Sequence, residues 1–186
     1  MARLLRAAGY EVRVHVSGGD FLLNRQSDGP GCVILDVQMP GPSGLDLQDA
    51  FIKSGDSMPI VFLSGHGDIP TSVRAMKAGA VDFLTKPVAK KTLLTAVESA
   101  LARYETNRLN RARLTDMGAR YESLTPRESE VFSRVTAGKL NKQIAIELGI
   151  SERTVKAHRS IVMEKFNVQS IAELSRIAEQ LHAPVC

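Results

Sequence analysis

The chain has 186 residues, 44% hydrophobic and 24% charged, with a formal net charge of +4. That length holds one domain or two small ones with a real core, and the composition is ordinary for a globular protein. No apolar run approaches the roughly 18–20 residues that span a bilayer, and +4 favours an anionic partner only mildly. The N-terminus MARLLRAAGYEV has no cleavage site, and the two cysteines, Cys32 and Cys186, make no disulfide framework. A cytoplasmic protein without a membrane partner is expected.

Up to about residue 104, short apolar strands alternate with helical patterns. The strands read as EVRVHV (11–16), CVILD (32–36), PIVFL (59–63) and VDFL (81–84). Helical patterns lie near 18–25, 44–53 and 70–78, with a longer one from about 89. Continuously apolar strands separated by helix-length segments predict a parallel α/β sheet covered on both faces. Residues 105–122 are charged and helix-prone, which suits a linker helix or a mobile tether.

Residues 123–186 are helical by pattern. Thr125-Pro126-Arg127-Glu128 fits a capping box with proline at the first helical position, and Gly138 closes that helix. A short helix over 141–148 ends at Gly149, Ser151 caps a third running to about Phe166, and Ser170 opens a fourth. Two helices joined across Leu148-Gly149-Ile150-Ser151 carry the helix-turn-helix signature.

Ligands of open α/β sheets bind beyond the carboxyl ends of the strands. Three chemically pointed residues fall there: Asp36, Ser64 and Lys86, the last followed by Pro87, which can set a cis bend. Singly each has a bland explanation: a turn-forming acid, a Ser-Gly loop, a solvated lysine. Together an acid, a hydroxyl and a cation on one rim suit phosphoryl chemistry, with the carboxylate as nucleophile and the others stabilising the transferred oxygens.

ILDVQMPGPSGLDL and FLSGHGDIPTSVRAMKAGAVDFLTKP, with their spacing, resemble the receiver domain of bacterial two-component response regulators over residues 1–104. The resemblance implies a flavodoxin-like sheet of strand order 2-1-3-4-5. It implies that Asp36 accepts a phosphoryl group from a sensor histidine kinase. It makes Ser64 the switch hydroxyl, Phe83 the reorienting aromatic and Lys86 the phosphate-pairing cation. Mg²⁺ would be held by Asp36, the backbone carbonyl of Gln38 and an acidic pair that ends the family's first strand. No such pair precedes Asp36, since Glu11 and Asp20 fall in the wrong elements. The chain is therefore expected to be an N-terminally shortened receiver. A mis-called start codon is the preferred explanation over a natural truncation or a degenerate member. The absent strand would leave its two neighbours roughly 10 Å apart, at about 4.8 Å per strand.

At 100° per residue, Val155, Val162 and Phe166 share one face of the third tail helix, opposite Arg153, Lys156, Ala157 and Ser160. An apolar side on a scaffold and a small or cationic side for a major groove suit a recognition helix. The bland alternative is a set of solvated charges on a helical hairpin. The stretch LTPRESEVFSRVTAGKLNKQIAIELGISERTVKAHRSIVMEKFNV resembles the LuxR-type four-helix domain of NarL/FixJ-type regulators. The resemblance implies groove contacts from Lys156, Ala157 and Ser160, and backbone contacts from Lys142, Thr154 and Lys165. It also implies homodimerisation through the last helix. Small residues at 157 and 160 leave base readout to Lys156 and arginines such as Arg153.

The leading expectation is a DNA-binding transcriptional regulator, not an enzyme, that pairs on promoter DNA when phosphorylated and so raises effective concentration. The absent acidic pair supports a second reading, a phosphorylation-independent regulator or fragment. A third, an Asp-nucleophile phosphatase, ranks low because Gln38 stands where such enzymes carry a second acid.

Overall fold

A computed structural model describes residues 1–24, 29–65 and 68–182; Cys186 and the last residue of the expected helix at 18–25 lie outside the described residues. Contacts divide the chain into two units, Met1–Arg108 and from Leu109 onward. Among the described residues no helix is long and apolar enough to cross a membrane.

The first unit runs α1 (Ala2–Ala7), α2 (Gly18–Asn24), β1 (Val33–Asp36), α3 (Gly44–Lys53), β2 (Ile60–Ser64), α4 (Ile69–Lys77) and β3 (Asp82–Thr85). It closes with the first turns of α5 (Lys90–Glu122). The strands are parallel in the order β1-β2-β3, with Leu35 opposite Phe62 and Phe62 opposite Phe83. Side chains alternate across the sheet, so each face takes its own helices. Val61, Leu63 and Leu84 pack with Leu93, Ala96, Val97 and Ala100 of α5 and with Leu5 of α1. Leu35, Ile60 and Phe62 pack with Leu45, Leu47 and Phe51 of α3 and Ala75 of α4. β2 is buried at every residue, which is why its sequence reads as one apolar run. Cys32 lies at the entry to β1, and burial pushes its thiol up to about 11, so it stays protonated.

The starts of α3 and α4 follow directly from side-chain chemistry. Ser43 Oγ accepts the Asp46 N–H while Asp46 Oδ2 accepts the Ser43 hydroxyl at 2.7 Å and the Ser43 N–H at 2.8 Å, two bonds, the hydroxyl's first, that hold the Asp46 carboxyl below its usual range. Asp68 caps α4 through the Thr71 N–H at 2.8 Å, ahead of Pro70.

The expected strand at 11–16 is not one. Residues 10–15 carry no regular structure, and Val14 and Val16 are 65% and 85% exposed. An extended segment becomes a strand only through a ladder with a neighbour, and among the described residues β1 pairs on one side only, with β2. The segment is held locally instead: Arg6 donates to the Val12 carbonyl at 2.9 Å, and Asp20 accepts from the Val16 N–H at 3.2 Å.

The second unit contains the end of α5, then α6 (Pro126–Thr136), α7 (Asn141–Leu148), α8 (Glu152–Phe166) and α9 (Ile171–His182). Residues 105–122, read as linker or tether, are helical throughout. Thr125 and Glu128 form the expected capping box of α6, Gly149 closes α7, and Ser151 caps α8 through the Thr154 N–H at 3.1 Å. One core joins the four helices: Val131, Phe132, Ile144, Val155, Val162, Phe166 and Leu174, with Met117 of α5. Phe132 is its centre, stacked on Phe166 at 5.2 Å and edge-on to Tyr121 at 5.3 Å.

Candidate functional site

The first candidate is the rim where the three strands end. Asp36 is the last residue of β1, Ser64 the last of β2, and Lys86 follows β3 directly. In-register pairing of Asp36 with Leu63 and of Ser64 with Thr85 puts these ends level, so residues far apart in sequence become neighbours. The Lys86 ammonium forms an ion pair with Asp36 Oδ2, while Asp36 Oδ1 accepts the Gln38 N–H at 3.1 Å. The Lys86 N–H donates to the Ser64 carbonyl at 2.8 Å, and the Lys86–Pro87 peptide is cis. The carboxylate remains open to incoming groups, with its side chain 33% exposed, whereas Ser64 is buried. Phe83 is half-buried, its ring 6.1 Å from that of Phe62 on the α3 side of the sheet.

Sequence reasoning missed Gly44. A Cβ there would stand 2.5 Å from the Asp36 carbonyl oxygen and 3.0 Å from the Phe62 ring. Glycine thus lets the start of α3 close against the acid-bearing strand end, and the Gly44 N–H donates to the Val37 carbonyl at 3.2 Å. The sequence shows the glycine but nothing of the approach it permits.

The implied Mg²⁺ would need near-octahedral oxygen ligation. The oxygen donors of the expected set present here are the Asp36 carboxylate and the Gln38 carbonyl. One Asp36 oxygen holds Lys86 and the other the Gln38 amide. Among the described residues no group of three or more His, Cys, Asp or Glu could hold a metal ion. This donor set does not fit the ion.

The second candidate is the outer face of α8. Arg153, Lys156, Ala157 and Ser160 are exposed, while Val155, Val162 and Phe166 are buried against the core, the division that the helical period requires. Thr154 is half-buried beside its Ser151 cap, and Lys142 is exposed at the start of α7. Arg159 reaches back to Asn141 Oδ1 at 3.1 Å, tying α8 to α7. In α9, Leu174, Ile177 and Ala178 face the unit's own core, leaving Ala172, Arg176, Glu179 and Gln180 exposed.

Lys165 departs from this outward pattern. Its ammonium lies 2.7 Å from Glu128 Oε2 and 2.8 Å from the Ser123 carbonyl. The Lys165 hydrogen bond, and next the Thr125 N–H, hold the buried Glu128 carboxyl below its usual range. Sequence reading took Glu128 only as a cap partner. A signal existed: positions 128, 131, 132 and 135 share one helix face, and the last three are core.

Comparison with known proteins gives both units a family. Residues 1–98 match the response regulator receiver domain, and residues 122–178 match the bacterial regulatory proteins of the luxR family. Response regulator protein TodT of Pseudomonas putida is 46% identical, over 97% of this chain and 80% of its own length. Transcriptional regulatory protein FixJ of Azorhizobium caulinodans is 41% identical, over 96% and 84%. Among solved structures, response regulator StyR is 45% identical with a TM-score of 0.77, covering 96% of this chain and 90% of that one. Full-length FixJ from B. japonicum is 40% identical with a TM-score of 0.55, covering 96% and 88%.

Proposed function

The chain belongs to the DNA-binding transcriptional response regulators that join a flavodoxin-like receiver to a LuxR-type helix-turn-helix domain, and on that premise we propose that Asp36 is its phosphoacceptor and α8 its reading helix. The observation that carries the first assignment is the Lys86–Asp36 ion pair, a cation and a carboxylate brought together by the level ends of β1 and β3.

In this reading a sensor kinase presents a phosphohistidine. An Asp36 oxygen attacks phosphorus, the new O–P bond forms as the P–N bond breaks, and the imidazole nitrogen leaves with the electron pair and takes up a proton. Lys86 transfers its ammonium from the bare carboxylate to the phosphoryl oxygens, where negative charge then sits. The Ser64 hydroxyl turns to a phosphoryl oxygen, and Phe83 follows it.

On the DNA side, Lys156 and Arg153 read base edges, while Ala157 and Ser160 are small enough to let α8 approach the groove. Lys142 and Thr154 meet phosphates, and two copies bind promoter DNA through pairing of α9, in the cytoplasm.

The test is intact mass after incubation with acetyl phosphate and Mg²⁺, for the wild-type chain and Asp36→Asn. A phosphoryl adduct on the wild type alone supports the assignment. The poor metal donor set favours a second reading, a regulator that binds DNA independently of phosphate. Absence of any adduct, together with DNA affinity unmoved by the phosphodonor, would establish that reading in place of the first.

A further inference from the structure

Three helix ends of the second unit meet at Lys165. Its ammonium holds Glu128 Oε2 at 2.7 Å and the Ser123 carbonyl at 2.8 Å. The same Glu128 oxygen accepts the Thr125 N–H at 2.8 Å, so the start of α6 shares the junction. From α5, Arg120 Nη1 donates to the Lys165 carbonyl at 3.1 Å, its Nε being held by Asp116 at 2.7 Å. The last turn of α8 is thereby tied through both side chain and backbone.

We propose that Lys165 is not a phosphate contact but a positioning residue, which with Glu128 and Arg120 sets the pose of the reading helix against the end of α5. The inference rests on the assignment of α8 as that helix. Two arguments carry it. The first is direction: Lys165 follows Lys156 by nine residues, so at 100° per residue the two project from opposite sides of α8. When Lys156 enters a groove, Lys165 points away from the duplex. The second is cost. Glu128 is only 6% exposed, and drawing Lys165 off to a solvated phosphate would leave a buried carboxylate without its counter-charge. A rim contact to one phosphate returns less than that loss, so the internal pair wins.

The experiment uses the full chain and two probes, a duplex enriched from a random-sequence pool by the wild-type protein and a scrambled duplex of equal composition. Affinities are measured across a potassium chloride series. A phosphate contact contributes about 0.9 to the slope of log affinity against log salt. For Lys165→Gln the slope is expected to stay at the wild-type value while affinity for the enriched duplex falls roughly tenfold, within the range of coupled positions. The scrambled duplex should lose little. Glu128→Gln keeps an acceptor for Thr125 and should give the same pattern, with the double variant no worse than the poorer single one.

General weakening of the fold would lower both duplexes together and leave their ratio unmoved, which overturns the proposal. A slope lowered by about 0.9 for Lys165→Gln alone, or losses that simply add, overturns it too. Should Lys165→Gln fail to fold, Arg120→Gln releases only the backbone end of the junction and is read by the same criteria. A Lys156→Ala chain that binds the enriched duplex as well as wild type would instead remove the reading-helix assignment itself.

Discussion

The strand-end rim and the helical reading unit sit in one chain but differ in how far they supply their own partners. In the reading unit, the core residues, the caps and the Lys165 junction all answer to residues within 109–182. In the sheet unit, β1 is half-buried along most of its length and, among the described residues, paired on one side only, and the acid at its end is held by Lys86 from just beyond β3. A helix satisfies its backbone internally and asks neighbours only for an apolar surface. A strand needs a neighbour for its own hydrogen bonds, so whatever touches one strand alters the next.

Three measurements test how independent the two units are. The largest effect is expected from Phe132→Ala. Removing the ring between Tyr121 and Phe166 should cost the second unit about 3–5 kcal/mol. Urea unfolding of the full chain, followed separately by hydrogen exchange of α8 and of β2, should show the first unit's transition unmoved. A shift of both transitions together would mean that the units unfold as one.

Lys156→Ala comes next, with a loss of about 1–3 kcal/mol in binding and relaxed discrimination at one base position. Gel shifts against single-base variants of an enriched duplex read both. Equal affinity across those variants for the wild type would show that α8 grips backbone and shape only.

The smallest effect is one of pH. The Glu128 carboxyl titrates below its ordinary value of 4.5, so the stability it contributes is complete above that value and is lost as pH falls through the native one. The gap in urea midpoint between wild type and Glu128→Gln should therefore be steady near neutrality and narrow on acidification. A gap that persists undiminished to about pH 3 would place its origin in packing and not in the charge pair.

Much of the molecule was legible because its signals are local. Period and caps alone place α6 to α9 within a residue or two, since Thr125, Gly149 and Ser151 act on their own turns. Asp36, Ser64 and Lys86 could be gathered on one rim because parallel strands end on the same side. The strand expected at 11–16 failed for the opposite reason. EVRVHV alternates as a strand should, yet its state depends on a neighbour that no pattern within the segment encodes. Lys165 was expected among the backbone contacts, and its pairing with Glu128 could not be read beforehand because that carboxylate lies 37 residues away.

Gly41 and Gly44, three positions apart, are the same letter for unlike reasons, and a survey of natural variants should separate them. Gly41 has φ +83° with open space where a Cβ would stand, so asparagine or aspartate, which tolerate that conformation, can replace it with little disturbance. Gly44 is barred by the immovable carbonyl of Asp36, not by its own dihedral angles. Any side chain there must lift the whole start of α3 from the strand end. Position 41 should drift among small polar residues while 44 stays fixed whatever residue stands at 36, because the atom that bars it is a backbone oxygen.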